Sequence, residues 1–162
     1  NGVKATAVAQ VAPILPNGNI DADTLGSGVP DYWRFGIRMP HHEEEGYCLV
    51  VPSNKYYLPL GYVNVPVHLK PSTRYRLSFR ARATNDQALA TVYERDAHNN
   101  NVRSHNIRVP KSDEWVTLEK EFETAANTDM GFSTVSFRCD GERRDCAWFD
   151  DVRVEILGPV DN

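Results

Sequence analysis

Long apolar runs are missing: nowhere does the 162-residue sequence approach the roughly 18 consecutive apolar residues of a membrane-spanning helix. A basic surplus is missing too. Eighteen Lys and Arg stand against 22 Asp and Glu, a net charge of −4, which argues against general nucleic-acid affinity. No stretch carries apolar residues at helical spacing for three turns, and there are no internal repeats or low-complexity tracts. His41, His42, His68, His98 and His105 fall in no nucleophile or metal spacing, which argues against an enzyme such as a hydrolase or lyase. Cysteine is scarce, at three residues. Residues 1–16 lack the basic start and long apolar centre of a signal peptide, so any such peptide is expected to have been removed.

What is present is a pattern of period two. With 41% apolar and 25% charged residues, the chain is long enough for one domain with a real core. Tyr75, Leu77, Phe79 and Ala81 alternate with Arg76, Ser78, Arg80 and Arg82, the clearest strand in the chain. Comparable alternation at Val63–Leu69, Trp115–Phe122 and Phe149–Ile156, with turns between, predicts about ten strands in an antiparallel β-sandwich. A further short strand is expected at Tyr32–Phe35. Residues 1–16 read as a linker or edge strand, 17–157 as the sandwich and 158–162 as a tail.

Several clusters invite a chemical reading. Asp150 and Asp151 interrupt the last strand; as neighbours in a strand their side chains are expected to diverge, so they cannot flank one scissile bond. Cys139 and Cys146 bracket a polar turn, and a hairpin there predicts a short-loop disulfide. Cys48 reads as a small core residue. His41 to Gly46 reads as a solvated loop; its two His and three Glu could form a metal site, but adjacent residues point apart and rarely ligate together. Arg76, Arg80 and Arg82, with Arg138, suggest either a salt-bridged face answered by Glu94, Glu119 and Glu121 or a groove for an acidic glycan.

The order Asn17-Gly18-Asn19-Ile20-Asp21, Pro30, Trp33, Val63-x-Val65, Pro71-x-x-x-Tyr75-x-Leu77-x-Phe79, Asp113-Glu114-Trp115 and Trp148-Phe149-Asp150-Asp151-Val152 resembles the galactose-binding-like jelly rolls among carbohydrate-binding modules, especially families four, nine and twenty-two. The resemblance implies a non-catalytic module that targets an appended secreted enzyme, a glycoside hydrolase or polysaccharide lyase, to a polysaccharide or oligosaccharide. It implies a bacterial, extracellular or cell-surface setting and a monomer, with no nucleic acid or membrane as partner. It also implies a structural calcium between the first loop and the closing strand, on Asn19, Asp21, Asp23, Asp150 and Asp151; hard oxygen donors of this kind suit calcium. The other reading is a structural or protein-interaction sandwich of a larger extracellular enzyme.

Sugar recognition calls for aromatic rings and planar polar groups. The resemblance places Trp33 and Trp115 in the core. Trp148, opposite in phase to Phe149, is either an outward platform or a cover for the Cys139–Cys146 pair. Tyr56, Tyr57 and Tyr62 lie in or near a loop, and Tyr93 is expected on the side of the arginine row. With Arg80, Arg82 and Arg138, these are the expected ligand contacts.

Overall fold

A computed structural model describes residues 14–55 and 63–161. Among them are nine strands and no helix: β1 (Ile37–Pro40), β2 (Tyr47–Pro52), β3 (Val63–Pro66), β4 (Thr73–Ala83), β5 (Ala88–Arg95), β6 (Asn101–Val109), β7 (Ser112–Glu123), β8 (Thr134–Cys139) and β9 (Cys146–Pro159). They form two antiparallel sheets, ordered β1-β2-β9-β4-β7 and β3-β8-β5-β6. The expected jelly-roll sandwich is what the chain forms. The strand expected at Tyr32–Phe35 shrinks to one bridge, Arg34 to Asn64, because Tyr32 and Phe35 both take positive φ, 70° and 63°.

β4 alternates buried and half-buried residues along its whole length. Its inward side chains meet those of β8 and β9 in an aromatic core, where the Phe137 ring lies 4.5 Å from Phe149, 5.4 Å from Trp33 and 5.9 Å from Phe79. Trp33 is buried as expected. At the ends, Leu15 packs into the core, the Ile14 carbonyl accepts from the His68 N–H, and β9 runs past residue 157 to Pro159.

The expected hairpin between Cys139 and Cys146 does not form. β8 and β9 lie in opposite sheets, and all three cysteines are free. Cys139 points into the core, where burial pushes its thiol up to about 12, whereas Cys146 alternates outward from the buried Ala147. The polar turn between them joins two layers; it does not fold one strand onto the next.

Glu94 is fully buried on β5 and serves as an internal fastener, not as an answer to the arginine row. Its carboxylate accepts from the Ala125 N–H at 2.8 Å, from the Thr128 hydroxyl at 2.6 Å, and pairs with His105 Nε2. Burial pushes this carboxyl up, yet the three partners outweigh burial and hold it below its ordinary 4.5. A folded-state value below the unfolded one gives stability above the ordinary pKa that is lost as pH falls through the folded value. Glu94→Gln is therefore expected to flatten the decline of the thermal midpoint below about pH 4.5, measured by melting across acid pH.

Candidate functional site

The two outer faces of the sandwich differ in chemistry. On the five-stranded sheet, β9 carries an extra residue where Ser78 pairs Arg153 and Arg80 pairs Asp150, a β-bulge with Asp151 at φ 49°. The bulge overturns the expectation that Asp150 and Asp151 diverge. Both turn to one guanidinium: Arg80 Nε lies 2.7 Å from Asp151 Oδ2, and Nη2 lies 3.3 Å from Asp150 Oδ2. Arg80 Nη2 also meets Glu44 Oε1 at 2.5 Å.

His41, expected in a solvated loop, has a side chain only 4% exposed and bridges the same acids, Nε2 to Asp150 at 2.5 Å and Nδ1 to Glu44 at 3.3 Å. The Arg80 hydrogen bond pulls Glu44 below the usual carboxylate range, while burial drives Asp150 upward against the pull of His41. Cys48 alternates with the core residue Leu49, so its thiol belongs to this outer face, raised to about 11 first by burial and then by Asp150. The sequence marks His41 only as part of a polar loop with His42 and Glu43 to Glu45; the chain fold is what brings it to Asp150.

Trp115 is also corrected. Its neighbour Val116 pairs with inward Ala81, so Trp115 points outward, half-buried, with its ring 5.2 Å from His41. Arg82 packs 4.3 Å over Trp148 and 5.7 Å from Trp115, and Arg80 lies 5.3 Å from Trp115. Trp148 therefore neither covers a disulfide nor stands clear: a guanidinium lies over its ring. Farther along, Arg76 and Arg74 reach Glu121 at 3.0 and 3.6 Å. Arg74, Arg76 and Arg80 are thus paired with carboxylates, whereas Arg82 rests on the Trp rings with its Nε buried and unbonded.

Among the described residues, the His, Cys and acidic donor atoms close enough to share a metal are those of His41, Glu44 and Asp150, a group without Asp21, Asp23 or Asp151. Asn19 Oδ1 accepts from the Asp21 N–H; Asp21 Oδ1 accepts from the Tyr47 N–H at 3.0 Å. Asp23 uses both oxygens on Ser27 and Gly28 N–H groups, at 3.2 and 2.9 Å. The loop is organised instead by Asn17, whose amide donates to the Ala22 and Asp31 carbonyls and accepts from the Ala22 N–H. Its carbonyl receives Trp33 Nε1 at 3.0 Å. Asn19, Asp21 and Asp23 each accept at least one backbone N–H.

The four-stranded sheet is different. Register aligns Asn64 with Ser136, Ser136 with Thr91, and Thr91 with Asn106. Their sequence neighbours Val65, Val135, Phe137, Ala90, Val92 and Ile107 are in the core, so these four point outward as one polar row across all four strands. At ordinary strand spacing the row is roughly 14 Å long. Thr91 and Ser136 are only 5% and 8% exposed. Arg138, Leu89 and Arg108 flank this row on one side, and Thr134, Tyr93 and Ser104 on the other. Thr91 Oγ1 bonds Asn106 Oδ1 at 2.8 Å, fixing the amide, and the Arg95 guanidinium lies 5.8 Å from the Tyr93 ring.

The expected ligand contacts therefore fall on two opposite faces. Trp148, Arg80 and Arg82 stand on the five-stranded sheet, whereas Tyr93 and Arg138 stand on the four-stranded one, so Tyr93 does not share a side with the arginine row. Tyr56, Tyr57 and Tyr62 lie outside the described residues. The row Asn64, Ser136, Thr91 and Asn106 went unrecognised in the sequence, because only strand register aligns it.

A family model described as a carbohydrate binding domain matches residues 43–137. No curated protein matches the chain. Among solved structures, the chain is similar to the N-terminal cellulose-binding domain of Cellulomonas fimi β-1,4-glucanase C, at 20% identity and TM-score 0.56, over 93% of this chain and 99% of that one. It is similar to the xylan-binding domain from a Paenibacillus barcinonensis protein, at 9% identity and TM-score 0.59, over 88% and 93%. A Clostridium thermocellum endo-1,4-β-D-xylanase structure complexed with xylohexaose matches at 13% identity and TM-score 0.57, over 79% of this chain and 26% of that longer chain. At these identities the likeness shows the fold alone.

Proposed function

Because the chain belongs to the carbohydrate-binding domain family, whose model matches residues 43–137, we propose that it is a non-catalytic module that holds a polysaccharide along the outer face of its four-stranded sheet. The observation that carries this placement is the polar row Asn64–Ser136–Thr91–Asn106. Hydroxyl and amide side chains both donate and accept, which is what a run of sugar hydroxyls requires. Tyr93, half-buried beside that row, supplies a ring for the C–H face of a sugar. The opposite face offers rings and arginines too, but they are engaged with one another.

Targeting is the natural use of such a module. We infer that it is joined covalently to a secreted polysaccharide-degrading enzyme and works outside the cell as a monomer. The similar Clostridium thermocellum chain, which pairs a binding module with a catalytic one, supports that reading. No described helix is long and apolar enough to cross a membrane.

The test is titration of the isolated chain with soluble plant and bacterial polysaccharides and their oligosaccharides. Binding to at least one is expected, with no product released. Tyr93→Ala is expected to weaken that binding by about tenfold or more, the loss typical of a buried ring contact. Absence of binding across the panel would sink the proposal.

A further inference from the structure

The junction expected to hold calcium contains two guanidinium groups. On the loop side, Arg38 of β1 donates Nε to the Ile20 carbonyl at 3.1 Å and Nη2 to the Asp21 carbonyl. Both carbonyls belong to the first loop, the one the resemblance assigns to the cation. The Tyr47 ring lies 3.2 Å from the Arg38 guanidinium carbon and holds the group in place. On the closing-strand side, Arg80 of β4 binds Asp151 and Asp150 and also draws in Glu44.

Among the described residues, His41, Glu44 and Asp150 are the group whose donor atoms lie close enough to share a metal. Arg80 Nη2 contacts both acids of that group, at 2.5 and 3.3 Å. A metal there would have to displace a guanidinium already bonded to Asp150, Asp151 and Glu44. A planar fork that pairs carboxylates is well suited to that position and carries its charge at every accessible pH.

We propose that Arg38 and Arg80 take the place of the calcium in this chain, tying the first loop and the closing strand into the sandwich so that the fold stands without a metal. The clamp is distributed. Arg38 anchors the loop to β1, Arg80 anchors the bulge of β9 to β4, and the backbone bond from Val152 N–H to the Gly18 carbonyl, 2.8 Å, joins the two sides directly. The bulge follows from the same arrangement, since without Asp151 at positive φ only one aspartate would reach Arg80.

Thermal melting of the whole chain tests this without reference to ligand binding. The midpoint is expected to be the same in chelator, in added calcium and in neither. Arg80→Ala is expected to melt roughly 5–10 °C lower, since it leaves Glu44, Asp150 and Asp151 facing one another. Added calcium is expected to recover part of that loss, because the three carboxylates then surround an open cation position. Should Arg80→Ala not fold, Arg80→Lys keeps the charge but not the fork, and is expected to melt between the two. A wild-type midpoint that falls in chelator and returns with calcium, or an Arg80 variant that melts like wild type, would overturn the proposal.

Discussion

Gly18→Ala is expected to cost at least about 3 kcal/mol of stability, a loss reserved for substitutions that force backbone apart. A Cβ at this position would stand 1.8 Å from the Val152 carbonyl oxygen and 2.9 Å from its carbon. Neither atom can give way, because both belong to the closing strand. Relief requires separating the loop from β9, which also breaks the 2.8 Å bond from Val152 N–H to the Gly18 carbonyl. Gly26→Ala is the control. Nothing lies within 4 Å of a Cβ there, so only its positive φ of 63° penalises the change, by about 1–2 kcal/mol. Chemical denaturation of both variants separates the two mechanisms. A Gly18 variant no less stable than the Gly26 one would show that the loop does not press on the closing strand.

Phe137→Ala is the second large effect, with an expected loss of about 3–5 kcal/mol. Its ring is fully buried at the centre of the sandwich and touches Trp33, Phe79 and Phe149. These partners come from the loop after residue 30, from β4 and from β9, so removing the ring opens a cavity bordered by both sheets. Phe79 and Phe149 cannot swing in without leaving their strands, and Trp33 is held by its Nε1 bond to the Asn17 carbonyl, so collapse is limited and the cavity cost stays high. Phe137→Leu, which keeps most of the volume, is expected to cost less than half as much. Denaturation midpoints with unchanged slopes would establish that stability, not compactness, has changed.

Alternation made the fold legible. Strands such as β4, where Tyr75, Leu77, Phe79 and Ala81 face in, announce themselves because one side of each is core and the other is wet. What alternation does not carry is the partner of a strand. Cys139 and Cys146 are near in sequence with a turn between, a pattern shared by a hairpin and by a crossing between layers. The bulge at Asp151 is hidden for a related reason: one residue at positive φ reverses the expected divergence of two aspartates, and aspartate is among the residues that tolerate that conformation.

Sites suffer more than folds from this gap. Trp148 drew notice as an outward aromatic, yet its ring is covered by Arg82, a residue 66 positions away whose register with Trp148 exists only in the folded sheet. Conversely, Asn64, Thr91, Asn106 and Ser136 are unremarkable in sequence and form a line only when four strands are aligned. His41 is the clearest case, because its partner Asp150 is 109 residues distant.

The central claim is that the four-stranded face binds the polysaccharide and the five-stranded face locks the fold. Parallel titrations of Asn106→Ala and Trp148→Ala, with whichever glycan the wild type binds and with melting of each variant, test it most directly. The account predicts that Asn106→Ala loses most of its affinity while melting near the wild type. It predicts that Trp148→Ala keeps its affinity and melts lower, because Arg82 loses the ring it packs on. Loss of binding in Trp148→Ala alongside full binding in Asn106→Ala would contradict it.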